Sequence, residues 1–164
     1  MKLLKKITDK DYGGPDEISY AKPRIKVRAV LLDENGNMVL MCLPKFQFNN
    51  YNDYYMLPGG TVEDNENLEE ALKREMLEET GCHINIIEEL GYIEQNSAKD
   101  DNVLITYYYL TKVTGEKEPT QMTEGEIEYQ TEVQWHSVEK ALDILLTGID
   151  YKIVVSEAIK YMRK

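Results

Sequence analysis

A mixed β-sheet sandwiched between helices, an α/β/α architecture, is the fold class predicted for this 164-residue chain. Three observations carry that expectation. Apolar runs with strand character recur along the chain, helical periodicities stand between them, and no internal repeat or low-complexity tract breaks the alternation. Hydrophobic residues make up 42% of the chain, enough to fill a core without a covalent staple, and the length suits one domain. Residues 1–164 are therefore read as a single domain, with 1–22 an N-terminal extension of uncertain structure.

The opening MKLLKKITDKDYGG begins with basic residues as a secretion signal does. It lacks the apolar stretch and small-residue cleavage site, so it is expected in the mature protein. RIKVRAVLLD (24–33) alternates basic and apolar residues and then turns fully apolar, which predicts a strand entering a core. NMVLMCL (37–43) predicts a second strand, and Asn35 with Gly36 supplies the hairpin signal between them. The run 33–36 superficially suggests a calcium loop, but further oxygen ligands and a closing Glu are missing. An aromatic, amide-rich connection follows at 44–55. Residues 67–80 have helical spacing, with Gly81 as terminator. Residues 82–96 and 103–113 predict long strands, 115–130 a polar loop, and 131–137 a short strand. A helix over 138–146 comes next. The last helix begins near Asp150 and carries Ile153, Val154, Ala158, Ile159 and Met162.

Thirty acidic residues against 19 basic ones give a net charge of −11. Such a surface disfavours long nucleic acid, whose binding draws on neutralising phosphates. A small phosphorylated substrate stays compatible if a bound cation screens the charge. No apolar run is long enough to cross a membrane, so no membrane partner is expected. Cys42 and Cys82 sit among aliphatic residues without metal-ligand spacing, which reads as two buried thiols in a reducing compartment and predicts a cytoplasmic protein. A homodimer is left open.

The segment 68–80 bears most on function. At about 100° per residue, Leu68, Ala71 and Leu72 share one helix face, and continuing that stripe leads to Glu75 and Glu79, with Glu78 beside them. Glu75 and Glu79 repel across one turn, and anions in a C-terminal turn oppose the helix dipole. A solvated acidic face explains Glu69 and Glu70 but not these three. A hard divalent cation held by the carboxylates does.

At these residues the chain resembles the Nudix hydrolase family. GTVEDNENLEEALKREMLEETGC (60–82) fits the Nudix box, G-x5-E-x7-R-E-U-x-E-E-x-G-U with U bulky and apolar. Gly60, Glu66, Arg74, Glu75, Met76, Glu78, Glu79 and Gly81 fall on its positions. Cys82 fills the last apolar slot as a mild departure. The preceding Leu57, Pro58 and Gly59, the inner Glu63, and a late element with Glu132 and Trp135 also fit. The resemblance implies a metal-dependent pyrophosphohydrolase that splits the diphosphate linkage of a small nucleoside diphosphate derivative. It implies Mg²⁺ or Mn²⁺ held by Glu75, Glu78, Glu79 and the Gly59 carbonyl. Arg74 would orient the carboxylates, and Glu66 would support the loop or reach a metal through water. The general base varies in the family; the candidates are Glu75 first, then Glu126 or Glu124.

Outside the box, Phe46, Phe48, Tyr51, Tyr54 and Tyr55 could stack on a base or simply pack on a strand. Of Tyr107, Tyr108 and Tyr109, alternation along a strand sends at least one into the core. Arg24, Lys26 and Arg28 share one strand face; Arg28 is a candidate substrate contact, although a solvated sheet face is the plainer expectation. His83 and His136 have no partner at catalytic spacing and are read as structural or exposed. The signatures of ADP-ribose, dinucleoside polyphosphate and coenzyme A pyrophosphatases are absent, which leaves a nucleoside triphosphate or modified nucleotide by elimination. The alternative from another class is a non-catalytic nucleotide-binding sensor or interaction module of the same fold, against which the complete carboxylate set argues.

Overall fold

A computed structural model of the chain describes residues 1–44, 53–145 and 149–163. Among them lie eight strands and four α-helices: β1 (Leu3–Thr8), β2 (Arg24–Leu32), β3 (Met38–Leu43), β4 (Tyr54–Met56), β5 (Gly59–Thr61), α1 (Leu68–Thr80), β6 (His83–Ser97), β7 (Asn102–Thr114), α2 (Glu124–Glu128), β8 (Glu132–His136), α3 (Val138–Ile144) and α4 (Ile149–Met162). All eight strands join one mixed sheet. β2 runs parallel to β7, β6 antiparallel to β7, and β1 parallel to β6.

The hairpin expected at Asn35 and Gly36 forms. The Asp33 carboxylate accepts the backbone N–H groups of Asn35 and Asn37 and so closes the turn. Beyond it the two strands part: β2 and β3 pair only at Leu32 and Met38. The separation leaves two ladders to satisfy. β4 takes the free edge of β3 at Met41–Leu43, and β5 takes β2 at Lys26–Arg28. The short link between β4 and β5 is thereby wedged into the sheet, and it delivers Gly59 to the place where α1 arrives.

Side chains alternate across β2. Val27, Ala29 and Leu31 join Ala71, Leu72, Met76 and Cys82 in a core on the α1 face. Val30 joins Leu90, Ile93, Tyr108, Ala141 and Val154 in a second core, under α3 and α4. Both faces of the sheet are covered, as the alternation of strands and helices predicts. Tyr108 and Tyr109 are both buried, one in each core, because successive strand residues point to opposite faces. Cys42 and Cys82 are buried and free.

Two features depart from expectation. The first 22 residues carry a strand, β1, followed by a 3₁₀ turn at Asp9–Tyr12. Its signal is weak in LLKKIT because Lys5 and Lys6 at a sheet edge blur the alternation. Lys2 pairs with Glu157 of α4 at 2.5 Å, and Lys6 with Glu94 at 2.9 Å, so the segment is tied to both layers. The second is α2, a short helix inside the loop expected over 115–130.

Glu157 also accepts Lys160 at 2.5 Å, and the hydrogen bonds from Lys160 and then Lys2 hold its carboxyl below the ordinary value of 4.5. A lowered folded pKa contributes stability that is present above 4.5 and lost as pH falls through the folded value. Glu157→Gln is therefore expected to remove one acid-sensitive component from the thermal midpoint measured between pH 6 and pH 3. An acid profile identical to wild type would show that the pair does not hold the N-terminal strand.

Candidate functional site

α1 begins where Asn67 accepts the Glu70 N–H and the Glu70 carboxylate returns the bond to the Asn67 N–H. The buried stripe is Ala71, Leu72, Met76, Glu79 and Thr80. Met76 therefore takes the core position assigned by simple periodicity to Glu75, which lies half-buried beside the stripe. Glu79 does sit inside, 8% exposed. Gly81 ends the helix at φ +69°, and the Glu118 carbonyl stands where its side chain would be.

The helix end carries no basic residue. Instead the Glu118 N–H donates to the Gly81 carbonyl and the Gln121 N–H to the Glu78 carbonyl, both at 2.7 Å. The polar stretch after β7 thus caps α1, offsetting part of the dipole penalty on Glu78 and Glu79. Lys117, stacked 4.4 Å over the Trp135 ring, helps hold this stretch in place.

The carboxylates differ sharply in environment. Glu79 accepts the Gly59 N–H at 2.6 Å, and burial pushes its carboxyl up to about 8 against the opposing charge of Arg28. Glu126 lies close enough to raise it further by charge and by hydrogen bonding. Glu75 is raised as well, by burial first; Arg74 opposes the shift, while Glu78 and Glu126 add to it. Gly60 passes so near that a Cβ there would lie 2.4 Å from Glu75 Oε1. Glu78 is more open, reached by Arg74 Nη1 at 3.3 Å.

Arg74 is the hub. Its Nε and Nη2 donate to the two oxygens of Glu66 at 2.8 and 2.9 Å, Nη1 donates to Glu75 at 2.8 Å, and Nη2 also reaches the Thr61 carbonyl. Glu66 accepts the Glu63 N–H in addition, and the Arg74 hydrogen bonds lower its pKa. These bonds tie Glu66 to the loop before α1 and to Arg74.

The two candidate bases outside the box part company. Glu126 is at the third position of α2, where Thr123 caps the helix and donates its N–H back to Glu126 at 2.6 Å. Glu126 is near enough to Glu79 and Glu75 for its charge to act on both. Glu124 is exposed on the same short helix, and of the two it is Glu126 that is among the larger influences on Glu75 and Glu79. The Thr-x-x-Glu spacing from Thr123 to Glu126 was a readable helix signal inside the loop.

Arg28 corrects the expectation of a solvated sheet face. It is 6% exposed, donates to the Leu57 carbonyl, and lies among Tyr108, Tyr151, Asp150 and Glu79. A guanidinium so enclosed serves as an internal countercharge to Glu79. Tyr55 packs against the core under α4 and meets Cys42, its pKa pushed up to about 12 mainly by burial. Phe46, Phe48 and Tyr51 lie outside the described residues. His83 meets Glu118 at 2.6 Å on the surface, and His136 meets Gln134 at 3.0 Å. The hydrogen bond between half-buried Asp150 and buried Tyr108 went unread, since an Asp at a helix start ordinarily caps in solvent.

With this geometry in place, comparison with known proteins decides the affiliation. The NUDIX domain profile matches residues 22–155. The chain belongs to the NUDIX domain family. The putative nudix hydrolase 1 of Caenorhabditis elegans is 27% identical over 135 residues, covering 81% of this chain but 34% of that protein, so the chain spans about a third of that relative's length. Among solved structures, a MutT protein from Methanosarcina mazei Go1 superposes with a TM-score of 0.64 at 21% identity, covering 88% of this chain and 99% of the other. A NUDIX hydrolase from Nitrosomonas europaea gives 0.65 at 18% identity, with coverage of 87% and 90%. At such identities the structures speak for the Nudix fold, which the mixed sheet and its flanking helices match.

Among the described residues no three acidic, histidine or cysteine side chains are gathered as a ready metal cage. Glu75 is turned to Arg74, and Glu79 to the Gly59 N–H. The donor chemistry nonetheless suits a hard divalent cation, because Glu79, Glu75 and Glu126 are oxygen donors that burial and mutual repulsion leave short of positive charge. In metal-free protein the raised Glu79 pKa makes stability fullest below 4.5 and lost as pH rises towards about 8. The expected result is a metal-free thermal midpoint that falls across that window in wild type and stays flatter in Glu79→Gln. Equal slopes in both proteins would show that Glu79 is not the buried acid described here.

Proposed function

We propose that this Nudix chain is a metal-dependent pyrophosphohydrolase acting on a small nucleoside diphosphate derivative, with a nucleoside triphosphate or modified nucleotide as the default substrate. One observation carries the reading: a nine-tenths-buried carboxylate, Glu79, held by the Gly59 N–H within electrostatic reach of Glu126. A purely structural helix gains nothing from such a group, since an isolated buried charge is costly and an apolar residue would pack better.

The roles follow from the surroundings. Glu75, Glu78, Glu79 and the Gly59 carbonyl would hold Mg²⁺ or Mn²⁺. Bound there, the ion would screen substrate phosphates from an acidic protein and stabilise charge developing in the transition state. Arg74 and Glu66 fix the loop that presents these groups. In hydrolysis a water oxygen bonds to phosphorus, the anhydride P–O bond breaks, and the water proton leaves to a base. Glu126 suits that last part better than Glu75, because the Glu75 oxygen is engaged by a guanidinium, whereas the Glu126 carboxylate accepts from the neutral N–H and hydroxyl of Thr123. A cytoplasmic setting agrees with two free buried thiols, and no described helix is long and apolar enough to cross a membrane.

The test is a hydrolysis screen with Mg²⁺ across nucleoside triphosphates and nucleoside diphosphate conjugates, reading released phosphate or pyrophosphate. Glu126→Gln is expected to lower kcat by roughly 10²- to 10⁴-fold, the usual range for a general base. Glu79→Gln is expected to lose turnover together with Mg²⁺ protection against heat, because a ligand bound only to the native state adds stability. Near-normal kcat in Glu79→Gln would sink the proposal.

A further inference from the structure

A cavity of about 240 Å³ opens at the ends of β1, β6 and β7, away from the box carboxylates. One wall is made by Ile7, Asp9 and Tyr12, from β1 and its 3₁₀ turn. The other is made by Gln95, Asp100 and Leu104, from the end of β6, the following turn and the start of β7. Ile7 belongs to the core under α4, so the cavity opens on that face of the sheet. The first wall lies wholly outside residues 22–155, the stretch matched by the Nudix profile.

The wall is held firmly. Asp9 accepts the Lys99 N–H at 3.0 Å, and Ser19 exchanges two hydrogen bonds with the buried Asn96 at 2.7 and 3.0 Å. Those bonds tie the N-terminal segment to β6 and the turn after it, so the cavity has a built edge.

Its chemistry is selective. No Lys or Arg lines it, whereas Asp9 and Asp100 both do, so a phosphate there would meet two carboxylates and no countercharge. Pockets for whole drug-sized ligands run to roughly 300–1,000 Å³, so this volume suits one ring system of a larger ligand. Acceptors outnumber donors. The Asp9 carboxylate accepts from the Lys99 N–H and is hydrogen-bonded to Ser97, the Asp100 carboxylate accepts from the Ser97 hydroxyl, and both retain acceptor capacity beyond these bonds. The Gln95 amide has no hydrogen-bond partner among the described residues and offers both an acceptor and donors. Tyr12, 65% exposed at the rim, presents an aromatic face for stacking.

Position links the cavity to the carboxylates. Gly59 pairs with Arg28 on β2, and Leu104 pairs with Arg24 on the same strand. Four residues of strand separate the two, roughly 13 Å at about 3.3 Å per residue. Lys26 lies between them on the same face, half-buried and within the field of Glu75 and Glu79. That interval is within reach of an extended nucleoside diphosphate, with its phosphates at the carboxylate end and its base at the cavity.

We propose that this cavity is the nucleobase subsite, that it selects bases bearing an exocyclic amine, and that the N-terminal segment is its specificity wall. The proposal deepens the hydrolase reading and rests on it for the phosphate end. Nucleosides test it independently, since they carry no phosphate and need no metal. Adenosine, cytidine, uridine and ribose 5-phosphate are titrated into the isotope-labelled full chain, and the Gln95 side-chain amide is followed by NMR. Adenosine and cytidine are expected to shift that amide and to bind about three- to tenfold more tightly than uridine, the worth of one net hydrogen bond. Ribose 5-phosphate is expected to leave it unmoved. Gln95→Leu and the exposed-site variant Tyr12→Ala should each weaken cytidine binding by about the same factor. Uridine binding as well as cytidine, a response to ribose 5-phosphate, or wild-type affinity in Gln95→Leu would each overturn the proposal. A chain that binds cytidine at Gln95 yet hydrolyses nothing with Mg²⁺ overturns the hydrolase reading instead and leaves the subsite standing.

Discussion

The hydrogen bond from the Gly59 N–H to the buried Glu79 carboxylate is the constraint around which the site is arranged. It joins the last turn of α1 to a strand that exists only because β2 and β3 part after their hairpin. Each partner is over-determined. Gly59 has φ +136°, and a Cβ there would run into the Val27 carbonyl at 2.1 Å, so no other residue fits without moving β2. Arg28 holds the Leu57 carbonyl just upstream. Glu118 and Gln121 fix the helix end from the opposite side. A carboxylate is thus gripped from the sheet, the helix and the following loop, which is how a group costly to bury stays in one place.

Two arginines divide the remaining electrostatic work. Arg74 faces outward and binds Glu66, Glu75 and Glu78, knitting the loop before α1 to the helix. Arg28 faces inward, between Glu79 and the hydrogen-bonded pair of Asp150 and Tyr108. Neither neutralises the cluster, because Glu126 adds its charge from α2. The result is a pocket of acceptors that remains short of cations, in a chain already at −11. Such an arrangement makes poor sense as stabilisation, which is what supports the divalent ion proposed for it.

Most of this was legible in the amino-acid pattern, and what was not has identifiable causes. The strands from β2 onward, the helix over 68–80 and its Gly81 stop follow from periodicity and end signals. Glu79 was legible as a carboxylate on an apolar stripe. Glu75 was only half so, because a 3.6-residue period drifts and Met76 takes the buried place. Arg28 misled, since alternating basic residues on a strand ordinarily mark a solvated face, and nothing local announces that Asp150, Tyr108 and Tyr151 will close over it. β1 escaped for a related reason: its partner lies some ninety residues away in β6, and parallel pairing at that range leaves no local mark.

The distribution of cations along β2 gives the fold a direction. Arg24, Lys26 and Arg28 fall on one face, yet they differ in exposure, from Arg24 at the surface through half-buried Lys26 to enclosed Arg28. Burial, reinforced by Arg28 and Arg24, holds the Lys26 amine below its ordinary value. The positive charge of Lys26 and Arg28, unlike that of Arg24, is therefore largely kept from bulk solvent, where it could attract a long polyanion. It is felt at short range instead, by whatever lies on the sheet between the carboxylates and the cavity bounded by Tyr12 and Gln95. A phosphate chain short enough to lie on that strip meets Lys26, while one that extends beyond it meets Asp9 and Asp100 at one end and an acidic surface elsewhere. Selection for small phosphorylated molecules can thus arise from how deeply three residues of one strand are buried.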